Sequence, residues 1–422
     1  MEFEVTKEYA QELDNQDELR EFRSRFVVED ADTVYLDGNS LGRLPKQSVN
    51  LVRDIVENQW GTNLIRSWNE DWFTLSERVG AKIAKLIGAK PNEVIIADST
   101  SVNLFKLVVA ALQYQQAKNI VVSDEFNFPS DLYILQGAIR LLGNRHTLRL
   151  LQSHDRLTIS HDEIKKNVSS EVSLITLSHT AFKSGFVYDM QKVTELAHSV
   201  SALVLFDLSH SAGALPVNLN AANIDLAVGC TYKYLNGGPG SPAFLYIRED
   251  LQEKLLNPIS GWFGQEKQFH FGLEYTPEQG IKKFLTGTPP VLSLAPIEIG
   301  VDILLEAGME RLRKKSVAQT EYLISLYKEL LKPLAVTFNS PEDDAMRGSH
   351  VCLGHPEGFR INQALIKEMK VIPDFRHPDN MRFGITPLYT TYTDIYQAIT
   401  RLEIVIKQKL YEKYERIYEQ VT

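Results

Sequence analysis

A chain of 422 residues with 44% hydrophobic, 23% charged and 9% aromatic residues has a globular composition, which excludes the disordered, collagen-like and disulfide-scaffold classes. A formal charge of −9 without a long basic run repels phosphate backbones, so nucleic acid is not expected as a partner. No apolar run approaches the roughly 18 residues of a membrane span, Met1–Asp17 lacks a secretory-signal pattern, and the only cysteines, Cys230 and Cys352, lie in apolar, strand-like surroundings. The expectation is a cytoplasmic protein with no membrane partner, no metal and two buried thiols.

Single cores stop growing at roughly 250 to 300 residues, so two domains are expected behind an N-terminal segment, 1–45, that packs on the small domain or on a partner subunit. Residues 46–300 alternate short apolar runs with longer amphipathic ones, the pattern of a doubly wound, mainly parallel α/β sheet. Ser76 to Ile87 reads as a helix capped by Ser76, with Val79, Ile83, Leu86 and Ile87 on one face and Gly88 ending it. The predicted strands are Glu93 to Ala97, Ile120 to Ser123, Leu174 to Leu177, Leu203 to Phe206, Leu226 to Gly229 and Ala243 to Ile247. Residues 301–422 read as a compact α+β domain. It contains a helix from Met309 to Leu331, strands around Val336 and Val351, a helix near Asn362 to Met369, a strand around Arg382 and a terminal helix from Asp394.

Four segments carry chemistry. The strand Leu203 to Phe206 runs into Asp207 and, three residues on, His210. In open α/β sheets ligands bind outside the carboxyl ends of the strands, although Asp207 also suits a helix cap and His210 a structural role. Lys233 lies between aromatics in Thr231-Tyr-Lys-Tyr-Leu-Asn-Gly-Gly-Pro-Gly240, where desolvation disfavours the charged amine and suits it to imine formation. A carboxylate and a lysine so placed look like the pyridinium partner and Schiff-base lysine of a pyridoxal phosphate site. Asp98-Ser-Thr-Ser-Val-Asn103 offers hydroxyls where a helix begins near Val102, an anion site or a plain cap. Phe126-Asn-Phe-Pro-Ser-Asp131 puts Phe128 and further polar groups at the same sheet edge.

Tyr35-Leu-Asp-Gly-Asn-Ser-Leu-Gly42, Phe128-Pro-Ser-Asp131, Phe206-Asp-Leu-Ser-His-Ser-Ala-Gly213, Thr231 to Gly240, Gly261-Trp-Phe-Gly264 and Arg382-Phe-Gly-Ile-Thr-Pro-Leu-Tyr389 occur in the order found in the kynureninase family, which the chain resembles from about residue 20 to 415, with residues 60 to 75 resembling its bacterial branch. The resemblance implies a fold type I pyridoxal 5'-phosphate enzyme, active as a homodimer with sites at the subunit boundary. It would hydrolyse the Cβ–Cγ bond of L-kynurenine, an amino acid substrate, to anthranilate and L-alanine. Carried over, Lys233 is the Schiff-base lysine and base, Tyr232 the acid, and Asp207 the partner of the pyridine nitrogen. Phe128 stacks on the ring; Thr100, Ser101, Pro129, Ser130, Asp131, Ser178 and His210 line the cofactor, and Trp262 and Thr288 complete its phosphate end. Arg382 grips the substrate carboxylate, and Asn39, Ser40 and Trp68 lie near the substrate's aromatic end. Thr288 stands where eukaryotic members carry asparagine, which favours kynurenine over its 3-hydroxy form.

The rival readings are a class V aminotransferase, a cysteine desulfurase and a non-catalytic pyridoxal-binding protein. A desulfurase needs an accessible, reactive thiol, and neither cysteine stands in a loop that would provide one. A binding or regulatory protein of this kind needs an added recognition domain, for which the chain leaves no room.

Overall fold

In the computed structural model, residues 3–415 are described. Among these residues thirteen strands form, numbered in chain order. β1 (Val34–Tyr35) pairs in parallel with β11 (Val371–Ile372). The large sheet holds β2 (Val94–Ala97), β3 (Ile120–Asp124), β4 (Thr147–Leu151), β5 (Val172–Ser178), β6 (Leu203–Asp207), β7 (Leu226–Gly229) and β8 (Ala243–Ile247). Its order is β2-β8-β7-β6-β5-β3-β4, and only β8 opposes the common direction.

Successive residues of these strands serve opposite faces. Ile96, Val122, Ile175, Val204, Ala227 and Phe244 enter one core with the helices Leu75–Leu86, Met190–Ser199 and Val291–Ala307. Their neighbours Ile95, Val121, Leu174, Leu205, Val228 and Leu245 enter a second core, under the helices Thr100–Tyr114 and Pro129–Leu141. Both faces are covered, which is why the central strands read as unbroken apolar runs.

A four-stranded antiparallel sheet, β12 (Asp374–Arg376), β13 (Asn380–Gly384), β10 (His350–Gly354) and β9 (Thr337–Phe338), forms the second unit. Its core takes Tyr322, Leu323 and Leu326 from the helix Met309–Leu326, together with Ala10, Val34 and Leu36 from the N-terminal segment. Residue 300 lies within the helix Val291–Ala307, and the passage from one core to the other falls in the next helix, whose Leu312 still belongs to the first.

Several boundaries depart from the sequence reading. Ser76 does not cap its helix: the helix starts at Leu75 and Ser76 is buried inside it. The helix expected near Val102 starts at Thr100, capped by Ser99, whose Oγ accepts from the Val102 amide. Thr391 caps the terminal helix Tyr392–Lys407, and Asp394 returns a bond to the Thr391 amide. The helix read as Met309 to Leu331 is regular to Leu326 and then widens into a π-turn over Tyr327–Leu331.

Candidate active site

Five parallel strands end at one edge of the large sheet, and each delivers side chains to a single pocket there, the position expected for a ligand in an open α/β sheet. After β2 come Thr100 and Ser101, after β3 Phe128, Ser130 and Asp131, and at the end of β5 Ser178. Asp207 closes β6, followed by Ser209 and His210, while Tyr232 and Lys233 follow β7. Thr180 and Phe182, which sequence reasoning passed over in the loop after Ser178, complete the lining.

Lys233 stands in a turn closed by the Asn236 amide on the Lys233 carbonyl (3.0 Å) and the Gly237 amide on the Thr231 carbonyl (2.9 Å). Asn236 takes a left-handed φ of 54° there, a conformation asparagine tolerates better than most residues. The turn aims the amine inward: Nζ lies 3.0 Å from His210 Nε2, 5.9 Å from the Phe128 ring centre and 5.8 Å from that of Tyr232. Asp207 accepts from the Ser209 amide at 2.7 Å, and no helix follows that it could cap. Burial raises the pKa of Asp207, against the Ser209 hydrogen bond and the Lys233 charge. Asp131 is raised well above the carboxylate range, by burial and then by Asp207. Two buried carboxylates beside one lysine leave room for a further cation.

At the opposite end, the start of the helix Thr100–Tyr114 presents free amides and hydroxyls, and Ser101 Oγ lies 3.0 Å from Ser130 Oγ. Such a start favours an anion. Phe128 is half exposed and meets Phe182 edge-on at 5.3 Å, leaving a ring face for stacking. Pyridoxal phosphate therefore fits the residues present: an amine for its aldehyde, a carboxylate for its ring nitrogen, an aromatic face, and donors for its phosphate.

The remaining residues lie elsewhere. Pro129 begins the helix Pro129–Leu141 behind Phe128. Arg382 on β13 is buried and heavily bonded: Nη1 donates to the Phe182 carbonyl (2.8 Å), Nη2 to Ser40 Oγ (3.0 Å), and an ion pair joins it to Asp374. The Asn39 amide, with its oxygen turned inward, accepts from Arg382 Nε at 2.8 Å. Asp374 also holds Arg376, at 2.8 Å. Asp37, close by, is pushed up to about 6 by burial and then by the Asp374 charge. No pattern in the sequence singled out Asp374 or Arg376, since charged residues in a short strand otherwise read as solvated. Trp68 packs among Trp72, Phe73 and Phe263, Trp262 is half exposed against Phe271, and Thr288 is exposed. None of these three lines the Lys233 pocket.

Solved structures share this architecture. A cysteine desulfurase from Thermococcus onnurineus NA1 superposes with a TM-score of 0.77 at 18% identity, over 89% of this chain and 95% of its own. A cysteine desulfurase from Escherichia coli gives 0.77 at 16%, over 92% and 98%. At such identity the likeness is one of fold. Together with the chain's kynureninase relatives, that fold makes the protein a fold type I pyridoxal phosphate-dependent enzyme. Among curated proteins, kynureninase from Pseudomonas fluorescens is 42% identical over 402 residues, 94% of each chain, and kynureninase from Burkholderia mallei 40% over 406 residues, 95% of each. The family profile of the kynureninase C-terminal domain matches residues 312–402. The chain belongs to the kynureninase family.

Proposed function

We propose that the chain performs the reaction its family is named for, hydrolysis of the Cβ–Cγ bond of L-kynurenine to anthranilate and L-alanine, a step of tryptophan degradation and of the kynurenine route toward NAD. The observation that carries this is the convergence of Lys233, Asp207 and the hydroxyl-bearing helix start in one pocket, in a chain 42% identical to a kynureninase. Bound there, pyridoxal phosphate supplies an aldehyde for the substrate amine and an electron sink for the bond changes that follow. Asp207 would hold the ring nitrogen, Phe128 would face the ring, and Thr100, Ser101 and Ser130 would donate to the phosphate. Lys233 takes the proton from the substrate Cα and returns it there at the end, and a water adds its oxygen to the γ-carbonyl as the Cβ–Cγ bond breaks. Tyr232, whose hydroxyl burial holds protonated beyond the usual tyrosine range, returns one at Cβ. Arg382 orients the substrate carboxylate, with Asn39 and Ser40 steadying its guanidinium.

Desulfurase chemistry lacks its nucleophile here, because both thiols are buried and burial raises them, Cys352 to about 12. The functional unit in this reading is a cytoplasmic homodimer. Trp262 and Thr288, which do not line the Lys233 pocket of their own chain, reach the phosphate end of the second copy's site, and the Trp68 cluster goes with them because it packs on Phe263. Among the described residues no helix is long and apolar enough to cross a membrane, and no side-chain cluster suits a metal. Reduction with borohydride followed by peptide mapping should place the cofactor on Lys233, with anthranilate fluorescence appearing from L-kynurenine before reduction. A label on another lysine such as Lys183, or amino transfer to a keto acid in place of anthranilate, refutes the reading.

A further inference from the structure

Three buried polar groups beside the site have no hydrogen-bond partner: Nδ1 of His210, both ring nitrogens of His350 on β10, and the hydroxyl of Tyr234. The other two rings both pack edge-on to His210, with centroids 5.5 Å apart for His210 and His350 and 6.4 Å for His210 and Tyr234. The neighbouring protein groups are already engaged. The Lys183 carbonyl beside His350 receives the Cys352 thiol and is out of bonding geometry with either imidazole nitrogen. Ser349, near the Tyr234 hydroxyl, donates to the Ile385 carbonyl at 2.7 Å and lies 2.8 Å from Ser316 Oγ.

Leaving a buried donor or acceptor unsatisfied costs about 1–3 kcal/mol per group, and four unpaired atoms in one spot are not expected of a stable core. One buried water with about three polar partners can serve His210 Nδ1, one His350 nitrogen and the Tyr234 hydroxyl. Burial, followed by the cations Lys233, Arg382 and Arg376 that face the pair, holds both imidazoles neutral, with pKa values well below the usual range. A neutral imidazole has one donor and one acceptor. Which His210 nitrogen carries the proton therefore decides whether Nε2 can accept from Lys233, 3.0 Å away, or instead donates to it once the amine is neutral.

We infer that His210 Nδ1, His350 and the Tyr234 hydroxyl form a binding site for a single ordered water, through which His350 and Tyr234 act as positioning residues that fix the His210 tautomer presented to Lys233. The inference deepens the reading of Lys233 as the base, and its first test does not depend on turnover. A crystal structure of the protein without cofactor should show one water within hydrogen-bonding distance of His210 Nδ1 and His350, and nitrogen-15 spectra should show one His210 tautomer. In His350→Leu the water should be lost and the tautomers mixed. On L-kynurenine, kcat should fall about ten- to a hundredfold with KM unchanged and an altered pH profile, whereas His350→Gln, which keeps polar groups, should restore both. Tyr234→Phe removes one oxygen only. It should loosen the water and lower kcat by a smaller factor, and it serves as the test if His350→Leu fails to fold. An anhydrous site, or variants that keep the wild-type tautomer and pH profile, would overturn the inference. A water present in a protein that releases no anthranilate would refute the proposed reaction and leave this site standing.

Discussion

Arg382 is more constrained than its sequence motif suggested. Its guanidinium is held by Asp374, Ser40, the Phe182 carbonyl and the Asn39 amide, so the flat fork expected for a substrate carboxylate is already fixed in orientation. A lysine could replace the charge but not these bonds, because an ammonium on a flexible stem lacks the guanidinium's planar set of donors. Arg382→Lys is therefore expected to raise KM for L-kynurenine about 10- to 1000-fold, roughly 1.4–4 kcal/mol, with the absorbance of the bound cofactor unchanged. Steady-state kinetics beside a cofactor titration check this, and an unchanged KM removes Arg382 from substrate binding. His179, one residue beyond Ser178, gives a pH prediction. It is buried against Phe206 with Nδ1 2.8 Å from Ser211 Oγ, and burial lowers its pKa from 6.5 to about 4. The depressed folded value means the unfolded chain binds this proton first as pH falls. The contribution is complete above pH 6.5 and is lost as pH drops toward 4, amounting to about 3 kcal/mol. The stability advantage of wild type over His179→Gln, measured by denaturant unfolding, should shrink by that order across the interval; a constant difference contradicts it.

The segment from Tyr35 to Gly42 shows how an element with almost no regular structure positions a site. The Gly42 amide donates to the Tyr232 carbonyl at 2.8 Å, and a Cβ on Gly42 would come within 2.3 Å of the Lys233 carbonyl oxygen and 2.9 Å of the Asn236 Cα. Backbone atoms cannot swing aside, so Gly42→Ala should displace the lysine turn. Overpacking of this kind costs about 1–3 kcal/mol, and weaker cofactor binding should accompany the lowered midpoint of thermal unfolding; full affinity in this variant would show that the turn tolerates the shift. The elements that sequence reasoning found are those whose pattern is set by burial. β6 and β7 were legible because they are apolar on both faces. β4 was missed because it is an edge strand whose Thr147, Leu148, Arg149 and Leu150 keep contact with solvent, with only Leu151 fully buried. Helix starts shifted by one or two residues where hydroxyls stood in a row, as at Ser99, Thr100 and Ser101, since any of them can cap.

At the scale of the whole molecule, the parallel sheet and the residues on its strand ends were legible because one topology puts Thr100, Phe128, Ser178, Asp207 and Lys233 at one edge. Contacts between distant segments were not. The Phe182 carbonyl meets Arg382, and His350 meets His210, only where the two sheets come together. The apolar side chains Trp60, Leu64, Ile65, Phe269, Phe271 and Leu273 are exposed, and the homodimer reading places them at the subunit boundary, where apolar surface is buried. Ile65→Glu is expected to shift the sedimentation mass from twice the chain toward once, and to lower activity with it. A wild-type protein that sediments as a monomer and still turns over kynurenine contradicts that reading. The bonding of Arg382 has a mechanical side as well. Anchored in the small sheet beside its cross-strand partner Asp374, one side chain rivets two seams: the N-terminal segment at Ser40 and the large unit's loop at Phe182. A carboxylate that claims either amino end of the guanidinium must loosen one of those seams, so docking would be felt as slack in the joint between the two sheets.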